Sequence, residues 1–151
     1  MTDLILAIAH HLIVFGIAAV LAAQLALLRP SSMSPHTVKL LGRFDAFYGV
    51  LALAILVVGF GRVFHGPKGA DFYLDNPAFW AKVGAFAVVG VLSIKPTMRI
   101  AAWRKALKAD AAFVPAAAES SAVRRRKLAE VHVFALIPVA AAVMTRGIGL
   151  G

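Results

Sequence analysis

The side chains able to do chemistry in this sequence stand in or beside long apolar runs, and they fall into two sets. One holds His10 and His11 in the first run, Arg62 at the end of the second, Lys82 near the start of the third, and Met144 and Arg146 at the end of the fourth, with His65 just past Arg62. The other holds Gln24, Arg43, Asp45, Tyr48, Ser93, Glu130 and His132. Imidazole and thioether groups ligate iron, whereas guanidinium and ammonium groups neutralise carboxylates. The first set has cations and imidazole but no carboxylate within the runs, so an anionic partner is missing. Haem b would supply it, because its propionates pair with Arg and Lys while its iron takes a neutral imidazole. On this reading His10 is the iron ligand, with His11 as substitute. Met144 is the second ligand, ahead of His65, and Arg62, Lys82 and Arg146 suit the propionates. Gly59, near one turn before Arg62, leaves room for a ring. The second set balances itself: Arg43 with Glu130 or Asp45, beside Tyr48, forms a structural polar layer.

A competing reading needs no cofactor. Lys and Arg near the ends of membrane helices snorkel to headgroups, and a single histidine within a span bonds a backbone carbonyl. Other chemistries are excluded more firmly. The chain has no cysteine, which removes disulfides, iron–sulfur clusters and thioether-attached haem. Adjacent His10 and His11 point about 100° apart on a helix, unlike the i, i+4 pair of a helical metal site. No nucleophile-and-base set, phosphate loop or zinc spacing is present.

The elements that must position these groups follow from composition. Of 151 residues 61% are hydrophobic and 15% charged, more apolar surface than a soluble domain of this size hides. Spanning a bilayer takes about 20 apolar residues in a helix, and four such runs occur, at about 3–28, 38–62, 77–99 and 125–147. The expected fold is all-α: a single four-helix transmembrane domain over 1–151 with short loops. The first run lacks a basic start and carries Asp3 and two histidines, so it reads as a retained span and not a secretory signal. Arg29-Pro30 ends it, and Ser31 to Thr37 suits a cap for the next. Asp75 or Asn76 caps the third span with Pro77 in its first turn, and Phe72, Tyr73 and Trp80 form an interfacial aromatic group. Pro96 kinks or ends that span; Ile100 to Phe113 is an interfacial helix or an extension of it, and Val114 to Val123 is a linker of small residues. Pro138 bends the fourth span.

Charge orients the bundle. Eight of the sixteen Lys and Arg lie between Arg99 and Lys127, against Asp110 and Glu119. By the positive-inside rule this basic connection is cytoplasmic, which places both termini outside. It attracts anionic lipids, and the net charge of +9 is accounted for without nucleic acid. Alternate helices run in opposite directions, so the His10 set gathers near the outer side and the Glu130 set near the inner side.

The chain resembles a family of four-span bacterial membrane proteins of unknown function. The resemblance rests on His10-His11, Arg43-x-Asp45-x-x-Tyr48-Gly49, Gly66-Pro67-Lys68-Gly69 with Phe72-Tyr73 and Asn76-Pro77, then Lys82, Ser93, Pro96-Thr97, Trp103, Ile137-Pro138 and Arg146-Gly147. It implies the bacterial inner membrane and brings no activity. More distantly, His10, Lys82, the length and the layout are similar to HemJ-type protoporphyrinogen IX oxidases, which implies haem b. The leading expectation is a small membrane haem protein in electron transfer or oxidation of a porphyrinogen or quinol. The alternatives are an accessory subunit of a larger membrane complex or homo-oligomer, contacting through Ala18, Ala22 and Ala26, and a small-anion transporter.

Overall fold

The computed structural model describes residues 1–65 and 69–145, and leaves the side chains of His65, Met144 and Thr145 undescribed. The described residues form helices α1 (Thr2–Leu27), α2 (Pro35–His65), α3 (Gly69–Leu74), α4 (Pro77–Ala109) and α5 (Ala117–Thr145), with a 3₁₀ turn at Pro30–Ser32. No strand occurs among them.

Local chemistry sets the boundaries. Pro30 ends the regular helix of α1, and the Ser34 hydroxyl accepts the Thr37 N–H at 3.1 Å at the start of α2. At α4 the Asn76 side chain accepts the Ala78 N–H at 2.9 Å while Pro77 takes the first position, where its missing donor costs nothing. Of the two alternatives at Pro96 the structure takes the second: α4 runs 33 residues through it, so Ile100 to Ala109 is an extension of the same helix. One expectation is corrected. The small residues Ala117 to Val123 are the first turns of α5 and not linker, since alanine favours helix and only Pro115 stands against it.

The helices pack in hairpins. α1 runs antiparallel to α2, with Leu28 near Val38 and Leu41 at one end and His10 beside Gly59 at the other. α4 runs antiparallel to α5: Trp103 and Leu107 join Val123, while Val89 and Phe134 share the central core. The buried positions follow the 3-4 spacing of a helix seam: Ile17, Leu21 and Gln24 in α1 with Leu28 at its C-cap; Leu41, Tyr48, Ile55 in α2; Val89, Pro96, Ile100, Trp103, Leu107 in α4; Ser120, Val123, Lys127, Glu130, Phe134 in α5. Glycines let two backbones close up. A Cβ built on Gly16 would lie 3.3 Å from Leu51 Cδ1, tighter than ordinary packing.

Outside this seam the surface is apolar: Leu12, Phe15, Leu53, Val57 and Val91 all project outward. Three helices are long and apolar enough to cross a membrane, namely Thr2–Leu27, Pro35–Phe64 and Pro77–Ala109. α5 is not among them on its described residues, because Arg124-Arg125-Arg126-Lys127 and Glu130 occupy its first half.

Candidate functional site

Two polar layers interrupt the seam, separated by the apolar cluster of Ile17, Val20, Leu21, Ile55, Val89 and Phe134. The first lies where α1 begins, α2 ends and α4 begins. His10 projects from α1 towards α2, and the open side of Gly59 receives it: a Cβ there would stand 3.9 Å from His10 Cε1. Arg62 comes from the next turn of α2 and Lys82 from the first turns of α4. The cationic side chains that bear on His10 are Arg62 and Lys82, with the His11 ring beside it and no carboxylate among them. His10 Nδ1 and Arg62 Nε are both buried with no hydrogen-bond partner. A buried donor without a partner costs about 1–3 kcal/mol, more if charged, so the cluster is incomplete as the chain alone provides it.

A group of aromatic rings adjoins this layer at Lys82. Phe72, Tyr73, Phe79 and Trp80 contact one another edge to face in sequence, at centroid separations of 5.4, 6.2 and 5.4 Å. Trp80 Nε1 donates to the Leu74 carbonyl at 2.8 Å, which ties α4 to α3. Lys82 Nζ sits 5.1 Å from the centre of the Phe79 ring, a cation–π contact that holds the ammonium without neutralising it.

His11 stands apart. It is exposed, its Nδ1 lies 2.7 Å from the Ala7 carbonyl of its own helix, and its ring meets that of His10 edge-on at 6.2 Å. The side chains of Met144 and His65, and all of Arg146, lie outside the described residues. No group of three metal-ligating side chains occurs among the described residues.

The second layer lies nearer the basic end and is densely bonded. Asp45 Oδ1 accepts from Thr97 Oγ1 at 3.0 Å and from Gln24 Nε2 at 3.4 Å. Lys127 and Glu130 are both completely buried, with Lys127 Nζ 3.0 Å from Glu130 Oε2 and 3.3 Å from Oε1. The Lys127 ammonium also sits 4.5 Å from the centre of the Tyr48 ring. Gln24, also fully buried, leaves its Oε1 without a partner.

The pairing expected of Arg43 with Glu130 or Asp45 is therefore not formed. Arg43 is exposed, and the cation that faces Glu130 is Lys127. Ser93 turns to its own helix, donating to the Gly90 carbonyl at 2.7 Å, and exposed His132 does the same at Leu128. Lys127 was missed because it ends a run of four cations that marks an interface. Its signal was in the spacing: 120, 123, 127, 130 and 134 keep a 3-4 repeat, which puts Lys127 on the inward stripe. Thr97 follows Pro96 on the α4 face turned towards Asp45.

A family model described as a predicted membrane protein (DUF2214) matches residues 2–149. The chain belongs to this family. No curated protein and no solved structure matches it. The matched residues include both polar layers and all five helices.

Proposed function

We propose that this DUF2214 protein is a four-span bacterial inner-membrane protein, both termini outside, whose His10–Arg62–Lys82 layer holds an anionic cofactor, with haem b the group that suits it best. The observation that carries the reading is the pair of buried, unpartnered nitrogens, His10 Nδ1 and Arg62 Nε, in a layer whose charged neighbours are all cationic. The donor set fits such a group. His10 offers imidazole, Arg62 and Lys82 offer charge to two carboxylates, and Gly59 keeps the space beside the imidazole open. When bound, haem b supplies one-electron chemistry to a hydrophobic donor such as a porphyrinogen or quinol.

The chain's own residues have defined parts in this. Gly59 and the α1 backbone orient His10. The Phe79 ring holds Lys82 at the layer without cancelling its charge. On this reading α5 is the fourth span: from Val133 to Val143 its residues are apolar, and Lys127 with Glu130 enters as a neutral pair.

Protein purified from haem-replete cells is expected to show a Soret band that shifts on reduction, vanishes in His10→Ala and weakens in Arg62→Gln. The band should persist in His11→Ala, since His11 bonds its own helix. Folded protein without colour refutes the reading.

A second reading rests on a different observation. Ala18, Ala22 and Ala26 are exposed along one face of α1, as contact with another membrane helix would need. On this reading the protein is an accessory subunit, and partners co-migrate with it in mild detergent. Anion transport is the weakest reading, because the apolar cluster around Ile17 and Phe134 interrupts any polar path between the layers.

A further inference from the structure

The basic end of the bundle carries a feature that the cofactor reading does not use. Lys39 and Arg43 lie four residues apart on α2, and Arg104 and Lys108 lie four residues apart on α4. The two pairs line one cleft of about 230 Å³, with Leu107 as its apolar floor. Residues i and i+4 share a helix face, so two cationic pairs on neighbouring helices bound the same space. No carboxylate lines it, and the ion pairs among the described residues lie elsewhere, at Arg99–Glu119 and Lys127–Glu130.

Like charges this close repel, and flexible side chains in water would spread apart. One of them instead packs its stem against the neighbouring helix. A methyl group built on Gly42 would run into Cγ, Cδ and Nε of Arg104, so the Arg104 stem lies in a notch on α2 that only glycine leaves open. Gly42 sits between Lys39 and Arg43 on the chain and seats Arg104 from the other helix. The Arg104 stem thus lies beside Lys39 and Arg43 in advance of any ligand, which lowers the entropy cost of binding one.

We propose that the α2–α4 cleft is a binding site for the headgroup of a phospholipid bearing two phosphates, one for each cationic pair. Arginine in each pair offers a planar donor fork matched to phosphate oxygens. The lipid source is favoured over a free diphosphate by position. The cleft opens where two apolar helices leave the bilayer, Leu107 forms its floor, and exposed Phe47, Val50, Ile94 and Met98 continue from α2 and α4 as the surface for acyl chains. Basic pockets between membrane helices recognise such headgroups by the same chemistry.

Native mass spectrometry of the whole protein in mild detergent tests this, with titration of diphosphatidylglycerol, of phosphatidylglycerol and of inorganic pyrophosphate. One diphosphatidylglycerol per chain is expected, bound at least tenfold more tightly than phosphatidylglycerol and not displaced by pyrophosphate. Each cation is worth roughly fivefold near a membrane surface, so Arg43→Gln/Arg104→Gln should lower the affinity roughly 25-fold, while Lys105→Gln outside the cleft leaves it unchanged. Gly42→Ala keeps every charge but unseats Arg104, and should lose most of the preference for two phosphates. Should either of these variants lose its folded elution profile, Lys39→Gln/Lys108→Gln, at two exposed positions, gives the same reading. Equal affinity for the two lipids, an equal loss in Lys105→Gln, or stoichiometric pyrophosphate binding overturns the proposal.

Discussion

Replacing Lys127 with methionine removes the ammonium that faces Glu130 and changes little in side-chain length. Both residues are completely buried, so water cannot take over the lost partner. Breaking a buried ion pair from one side costs about 3–5 kcal/mol. The low end is the conservative value for a pair within one helix. About 3 kcal/mol is more than a hundredfold in the folded-to-unfolded ratio, or roughly 6–12 °C in midpoint for a chain of this size. The partners lie three residues apart on α5, so the pair survives separation of the helices. The deficit registers only when Glu130 must return unpaired to the interior. Lys127→Met/Glu130→Gln should therefore recover most of the loss, since it leaves no unpaired charge in the interior. Thermal unfolding in mild detergent, run as a double-mutant cycle, gives the coupling directly. A double variant as unstable as the sum of the two single variants would refute the argument that an unpaired buried charge is the cause.

Other expectations follow from the packing. Gly16→Leu places a branched side chain where even a Cβ meets Leu51 at 3.3 Å, and should cost about 1–3 kcal/mol while Gly16→Ala costs less; thermal midpoints decide. Asn76→Ala removes the cap of α4 and should cost about 1 kcal/mol, seen first as faster amide exchange at Ala78. Gln24→Leu should be neutral or stabilising, because it removes a buried oxygen that has no partner and sacrifices only a long 3.4 Å bond to Asp45, which keeps Thr97. A loss above about 2 kcal/mol would show that the Gln24 amide does more than these contacts indicate.

What the sequence made legible depends on range. The apolar runs marked the long helices, because a stretch of about 20 residues free of charge has few other structural uses. The antiparallel order brought His10 to the depth of Arg62 and Lys82 and, through Gly59, to the same side. Partner choice inside the second layer was less accessible. Arg43 and Lys127 are both cations near Glu130 in depth, and only the rotation of each helix about its axis separates the exposed one from the buried one. A run such as Arg124-Arg125-Arg126-Lys127 surrounds its helix on all sides, so charge alone assigns it to the surface while one member faces inward. The course of α4 through Pro96 was ambiguous for another reason: the cost of proline within a helix is set by what packs around it, and Pro96 is buried among its neighbours.

That uninterrupted helix has a mechanical consequence. At about 1.5 Å per residue, Lys82 and Arg104 are roughly 33 Å apart on one rod, one at each polar end of the bundle. Rotating such a rod by about 2° moves its far end by roughly 1 Å. Its one weak joint is Pro96, where a backbone bond is absent and where Thr97 fastens the rod to Asp45. A force applied to the basic end thus either swings Lys82 beside His10 or is absorbed at that joint, and the strength of the Thr97 fastening sets the division between the two.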